Sequence, residues 1–211
     1  MAKYGRKYTH AVIATDAVVF TIKENGLHAL LIKMKKPEYR GYWAVPGGLV
    51  KGEEGLETAA FRHLAEKTGV RDVYIEQLQT FGDPKRDPFG RVVSVAYIAL
   101  VSWDKHELKT SKQYEDVAWF PVSDLPKLAY DHAEIIYTAT ARLRAKIAYT
   151  NIVQGLLPKE FTLTELQRVY ETVLGKKVDK RNFRKKILET KIVREVKGKT
   201  SGGVHRPAQI Y

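Results

Sequence analysis

His63, Glu66 and Lys67 stand at i, i+3 and i+4 in the stretch RHLAEKTG, residues 62–69. That spacing projects three side chains from one face of an α-helix. Three carboxylates so placed would suit Mg²⁺, a hard cation that takes oxygen ligands in near-octahedral order. A metal held that way bridges phosphate oxygens and activates water. Here only Glu66 is a carboxylate. The Lys67 ammonium repels a dication, and a neutral His63 is a poor ligand for so hard an ion. No metal site is therefore expected, and none of the three is expected to be catalytic. Glu53, Glu54, Glu57, Glu115 and Asp116 are the oxygens elsewhere in the chain that could rescue one. The chemistry this face retains is attraction of an anion, with Lys67 supplying the positive charge.

The surrounding residues extend that reading. Gly47 and Gly48 would let a backbone approach a phosphate closely. Arg86 and Arg91 flank the DPFG stretch and have the planar fork that grips phosphate bidentately. Tyr39, Trp43 and Phe81 are candidates for stacking on a base, with core packing as the competing role of each.

These side chains can act together only if the chain between them folds to bring them close. HAVIATDAVVFTI and LHALLIKM read as strands, joined by the hairpin turn KENG at residues 23–26. YWAVPGGLV follows, punctuated by Pro46, Gly47 and Gly48. Leu56, Ala59, Ala60 and Leu64 recur at helical spacing from about Gly55 to Lys67, and Gly69 stands where a left-handed terminus suits glycine. VYIEQLQTF, RVVSVAYIALVSW and VAWFPVSDLP read as further strands. Ile136, Ala139, Leu143 and Ile147 mark one face of an amphipathic helix over residues 130–150.

Beyond it the pattern is helix, helix, then two short β-like pieces. TLTELQRVYETVLG starts at Thr162 or Thr164 and ends at Gly175, with Leu163, Leu166, Val169, Tyr170 and Val173 inward. DKRNFRKKILETK starts at Asp179, with Phe183, Ile187 and Leu188 as anchors. From residue 151 onward there are 14 Lys+Arg against 6 Asp+Glu, a net of +8 out of +12 for the whole chain. Excess positive charge concentrated in this tail suits a polyanion. Helix–helix–hairpin order suggests a winged helix whose second helix enters the major groove. Lys180, Arg181, Asn182, Arg184 and Lys185 are its candidate DNA contacts, with Lys199, His205 and Arg206 in the wing. Arginine and asparagine read base edges, and lysine more often holds phosphates. The chain has no cysteine, so disulfides and thiolate metal sites are excluded. No apolar run approaches the roughly 20 residues needed to span a bilayer. The basic N-terminus is not followed by a signal-like apolar run, so a cytoplasmic protein with no membrane partner is expected.

Residues 48–70, GLVKGEEGLETAAFRHLAEKTGV, resemble the Nudix box, G-x5-E-x7-R-E-U-x-E-E-x-G-U, where U is bulky and aliphatic. Gly48, Glu54, Arg62, Leu64, Glu66, Gly69 and Val70 match, whereas His63 and Lys67 depart from it. TFGDPKRDPFGRVVSVAY, TLTELQRVYETVLG, KRNFRKKIL and the terminal RPAQIY extend the resemblance over nearly all of residues 8–211. It is to the Nudix-related transcriptional regulators of NAD metabolism. That resemblance implies an α/β Nudix-like sandwich, a mixed sheet between helices, followed by a winged helix-turn-helix domain. The expected division is 1–150 for ligand sensing and 151–211 for DNA binding. It implies that Glu54 and Arg62 fix the loop against the helix. It also implies a homodimer on a palindromic operator, and a repressor that needs no cofactor. The effector would be ADP-ribose or a related phosphorylated metabolite or sugar, and the regulated genes those of NAD or sugar metabolism. The alternative is an active hydrolase of ADP-ribose-type diphosphates with a basic nucleic-acid-binding tail.

Overall fold

A computed structural model describes residues 10–103, 107–147, 152–201 and 208–211. β1 (Val12–Lys23) and β2 (Gly26–Met34) form an antiparallel hairpin. Glu24 and Asn25 both have positive φ, the two-residue turn whose twist matches paired strands. The short β3 (Trp43–Ala44) and β4 (Gly47–Leu49) follow, then α1 (Leu56–Thr68), β5 (Ile75–Phe81), β6 (Val92–Leu100), β7 (Tyr114–Pro121) and α2 (His132–Lys146). Strands β3-β2-β1-β6-β5 lie side by side, with β4 on β1 and β7 on β2; β1 and β6 run parallel. This is the mixed sheet between helices that the resemblance implied.

Alternation along β1 builds both layers. Val18 and Phe20 pack with Ile135, Ile136, Ala139 and Leu143 of α2. Ala17 and Val19 pack on the other face with Ala60 and Leu64 of α1. Ile136, Ala139, Leu143 and Ile147, which the periodicity marked, are all in this core, and Ile135 joins them.

A 3-10 turn at Ile152–Leu156 leads on to α3 (Leu163–Leu174) and α4 (Lys180–Glu189). Gly155 is pressed against β6: a Cβ there would lie 2.8 Å from Leu100 Cβ and 2.9 Å from its carbonyl oxygen. Thr162 and Glu165 cap the start of α3 reciprocally, which satisfies two orphan N–H groups. Asp179 caps α4 by accepting from the Asn182 N–H at 2.8 Å. Leu163, Leu166, Val169, Val173, Phe183 and Ile187 join the same apolar cluster as α2. Leu188, expected as an anchor, is instead 48 % exposed. It directly follows Ile187, and adjacent residues on a helix point about 100° apart. The terminal β-like pieces meet through a bridge between Thr200 and Gln209, and Ile210 bridges back to Thr162 at the start of α3. His205 and Arg206 lie outside the described residues. Among the described residues, no helix is long and apolar enough to cross a membrane.

Candidate effector cavity and DNA-facing helix

The box loop and α1 are locked by one ion pair. Arg62 Nε donates to Glu54 Oε2 at 2.9 Å, and a second guanidinium nitrogen meets Oε1. Glu54 Oε1 also accepts from the Lys51 N–H at 2.8 Å, and Arg62 reaches the Leu49 carbonyl at 3.2 Å. The Arg62 hydrogen bonds, followed by the Lys51 N–H, hold the Glu54 carboxyl down at about 2.

The three residues at i, i+3 and i+4 do not act as one group. Glu66 is exposed and, among the described residues, pairs with Arg62 at 3.4 Å. His63 is buried, and its Nε2 donates to the Leu49 carbonyl at 3.1 Å. Burial, then the neighbouring Lys67 charge, push the imidazole pKa below its ordinary value. Lys67 is also buried; its Nζ donates to the Gly47 carbonyl and lies 4.9 Å from the centre of the Tyr114 ring. Burial pushes the Lys67 pKa down to about 8, against the pull of Asp16.

The residues present do not fit the Nudix metal. The ammonium sits on the Gly47 carbonyl, and the remaining carboxylate turns toward solvent and Arg62. Glu115 pairs with Lys33 at 3.0 Å, while Glu53, Glu57 and Asp116 are exposed. Among the described residues no group of three or more His, Asp or Glu could hold a metal ion.

Lys67 opens onto a cavity of about 380 Å³ whose wall includes Asp16, Gly47, Gly48, Arg86, Tyr114 and His132. The glycines expected for phosphate approach line it, and they have a further constraint. A Cβ on Gly47 would lie 2.0 Å from Asp16 Oδ1, and one on Gly48 2.7 Å from His63 Cε1. Arg86 lines the cavity too, but its guanidinium is committed. It donates to both oxygens of Asp131, at 2.8 and 2.7 Å, and lies 3.4 Å from Asp16. Ser94 donates to Asp16 at 2.6 Å. His132 accepts from the Val45 N–H through Nδ1 at 3.0 Å, and burial holds its pKa below the ordinary value. So the Arg86 guanidinium ties the α2 N-terminus to β1 instead of standing clear for phosphate.

Arg91 is exposed and donates to the Gly82 carbonyl at 2.8 Å, off the cavity wall. Trp43 packs edge-on against Phe120, ring centres 4.5 Å apart, and Phe81 is buried in the α2-side core. Tyr39 packs with Tyr130 at 4.5 Å and Tyr42 at 5.6 Å and is not among the residues lining the cavity. The candidate residues that the fold gathers are thus Gly47, Gly48, Lys67 and Arg86. Asp16, Phe89, Tyr114, Tyr130 and His132 also line the cavity, and Asp131 holds Arg86 there, although none of them belongs to a motif that marks a ligand site. The signal for Asp16 was present: a carboxylate inside the apolar strand VIATDAVVF needs a buried partner.

A lysine whose folded pKa lies near 8 binds fewer protons folded than unfolded between pH 8 and about 10.5. Stability therefore rises with pH across that window. Lys67→Met is expected to raise stability at pH 7 by roughly 3 kcal/mol, an advantage that fades as pH approaches 10.5. Parallel urea titrations of both proteins at several pH values measure it. A pH-independent difference would refute the burial of a charged Lys67.

Of the candidate DNA contacts, Lys180, Arg181, Asn182 and Lys185 are exposed on α4. Arg184 is not. Its guanidinium turns back to Thr164 Oγ1 of α3 at 3.3 Å, and its Nε is buried. It is therefore placed as a contact between the two helices rather than as a projecting base reader. Lys199 is exposed but pairs with Glu160 at 2.8 Å.

Comparison with known proteins agrees with this architecture. The NUDIX domain model matches residues 12–140, and the NrtR DNA-binding winged helix domain model matches residues 153–211. The chain is 36 % identical over its full length to the ADPR responsive transcriptional repressor NtrR of Acinetobacter baylyi, covering 86 % of that protein. It is 37 % identical over 64 % of its length to an ADP-ribose pyrophosphatase of Methanocaldococcus jannaschii, covering 76 % of it. The crystal structure of Shewanella oneidensis NrtR complexed with a 27mer DNA superposes with a TM-score of 0.83 at 36 % identity, covering 94 % of this chain and 92 % of that one. The NUDIX domain of the same protein complexed with ADP ribose matches 64 % of this chain and 90 % of its own length, with a TM-score of 0.59 and 37 % identity. With both domain models matched and a relative at this identity over the full chain, the chain belongs to the Nudix family, in the branch that joins a Nudix domain to an NrtR-type DNA-binding winged helix.

Proposed function

We propose that this protein is an ADP-ribose-responsive transcriptional repressor in which the Nudix domain binds its effector without hydrolysing it. The observation that carries the reading is Lys67, a buried ammonium fixed on the Gly47 carbonyl at the cavity wall. It gives the cavity a built-in positive charge suited to a diphosphate, and it occupies the helical face that three carboxylates would need. The relatives support the ligand and the DNA: one is named for its response to ADPR, and another crystallised both with DNA and with ADP ribose. The protein acts as a homodimer on a palindromic operator, since two-fold symmetry in the protein matches two half-sites. Residues 1–150 sense and 151–211 bind DNA. The regulated genes belong to NAD or sugar metabolism, and the protein works in the cytoplasm.

Effector and DNA must be linked by an element that touches both domains. α2 follows Asp131, which holds Arg86 at the cavity, and its Arg144 Nε donates to the Val173 carbonyl of α3 at 3.1 Å. An effector shifts the DNA equilibrium only if it binds one arrangement better than the other.

The deciding experiment is a gel-shift titration on the DNA upstream of the protein's own gene, with ADP-ribose added in magnesium or in EDTA. Expected is a sequence-selective complex released by ADP-ribose in both conditions, with the ligand recovered intact. Magnesium-dependent turnover of ADP-ribose at ordinary enzyme rates, with no selective DNA complex, would sink the proposal in favour of a hydrolase.

A further inference from the structure

Phe89 forms part of the cavity wall and remains 52 % exposed. An isolated exposed phenylalanine on an open surface needs no explanation, but this one faces a cavity. The Asp87 carboxylate accepts its backbone N–H at 2.8 Å, so the turn that carries the ring is held. Tyr39 meets the ring edge-on at 6.2 Å, and Lys36 Nζ lies 3.8 Å from its centre. Aromatic faces covered only by a mobile lysine are well suited to exchange that cation for a flat ring.

The cavity also has a direction. Val12, Ala14 and Asp16, alternate residues of β1, all line it. Asp16 lies at the Lys67 end, paired in register with Gly47. Val12 lies at the other, its N–H donating to the Arg91 carbonyl at 2.9 Å, two residues beyond Phe89. Four residues of strand separate the two ends by about 13 Å. A phosphosugar would occupy one end of that length. A nucleoside joined to a diphosphate reaches both.

We propose that Phe89 is the stacking platform for a nucleobase at the end of the cavity remote from Lys67, and that Lys36 leaves the ring face when the base arrives. Phe89 then sets the preference for nucleotide over phosphosugar effectors. The proposal rests on the effector reading above, and the test separates the two.

Isothermal titration of the full chain with ADP-ribose and with ribose 5-phosphate, for the wild type, Phe89→Ala, Phe89→Trp and Lys36→Ala, provides that test. The wild type is expected to prefer ADP-ribose. Phe89→Ala should lose about tenfold or more in ADP-ribose affinity with ribose 5-phosphate affinity unchanged, Phe89→Trp should restore it, and Lys36→Ala should not weaken it. Full ADP-ribose affinity in Phe89→Ala, or an equal loss for both ligands, overturns the stacking role alone. A wild type that binds neither ligand overturns the effector reading, and the platform with it.

Discussion

Lys67→Glu is expected to yield a repressor that holds its operator but no longer answers to ADP-ribose. The wild-type ammonium can form charge-assisted hydrogen bonds to phosphate, each worth about 1.5–3 kcal/mol net. Losing one costs tenfold to more than a hundredfold in affinity, and a carboxylate at this position would add repulsion from the ligand beside Asp16, whose charge already acts on this site. The neutral Lys67→Met should show the first loss without the second. pH gives an independent check. Free Lys67 titrates at about 8, and a bound anion favours its protonated form. Wild-type affinity should therefore fall as pH rises above 8, with proton uptake on binding, while Lys67→Met stays flat. Titration calorimetry in buffers of different ionisation enthalpy measures both, and gel shifts report release from DNA. Release of Lys67→Glu at wild-type ADP-ribose concentrations would remove Lys67 from the ligand site.

Arg181→Ala is expected to weaken specific DNA binding by about 1–3 kcal/mol and to relax selectivity at one base pair of each half-site. Arg181 is exposed on the N-terminal turn of α4, the part of a recognition helix that meets base edges. Arg184→Ala should behave differently, because that guanidinium is turned to Thr164. Its substitution removes a contact between α3 and α4, so the loss should appear mainly in the melting temperature of the tail. Gel-shift titrations at fixed salt against operator and scrambled DNA, together with thermal melts, distinguish the two variants. Equal losses of selectivity would show that Arg184 leaves α3 to read DNA.

Much of the fold was legible because it rests on local pattern. The β1–β2 hairpin, the termination of α1 at Gly69, the inward face of α2 and the caps of α3 and α4 are each set by residues within a few positions of one another. The same holds for the box, where Glu54 and Arg62 are eight residues apart and pair directly. Lys67 could be read as hostile to a dication from its charge alone. The basic character of the tail followed from counting.

What the tertiary structure decided is pairing across long stretches of chain. Arg86 looked available for phosphate, and it became a buried strut only because Asp131, 45 residues later, and Asp16, 70 residues earlier, converge on it. Trp43 and Phe81 carry rings able to stack on a base, but packing against Phe120 and the α2 side of the sheet absorbs them. Phe89, which drew no attention in the sequence, is left facing the cavity. Arg184 has the charge of a DNA contact, and the crossing of α3 over α4 turns it inward. Charge, size and periodicity belong to the residue and its neighbours and can be read in order along the chain. Whether a guanidinium or a ring remains free depends on which distant partner reaches it first, and that is settled only when the layers close.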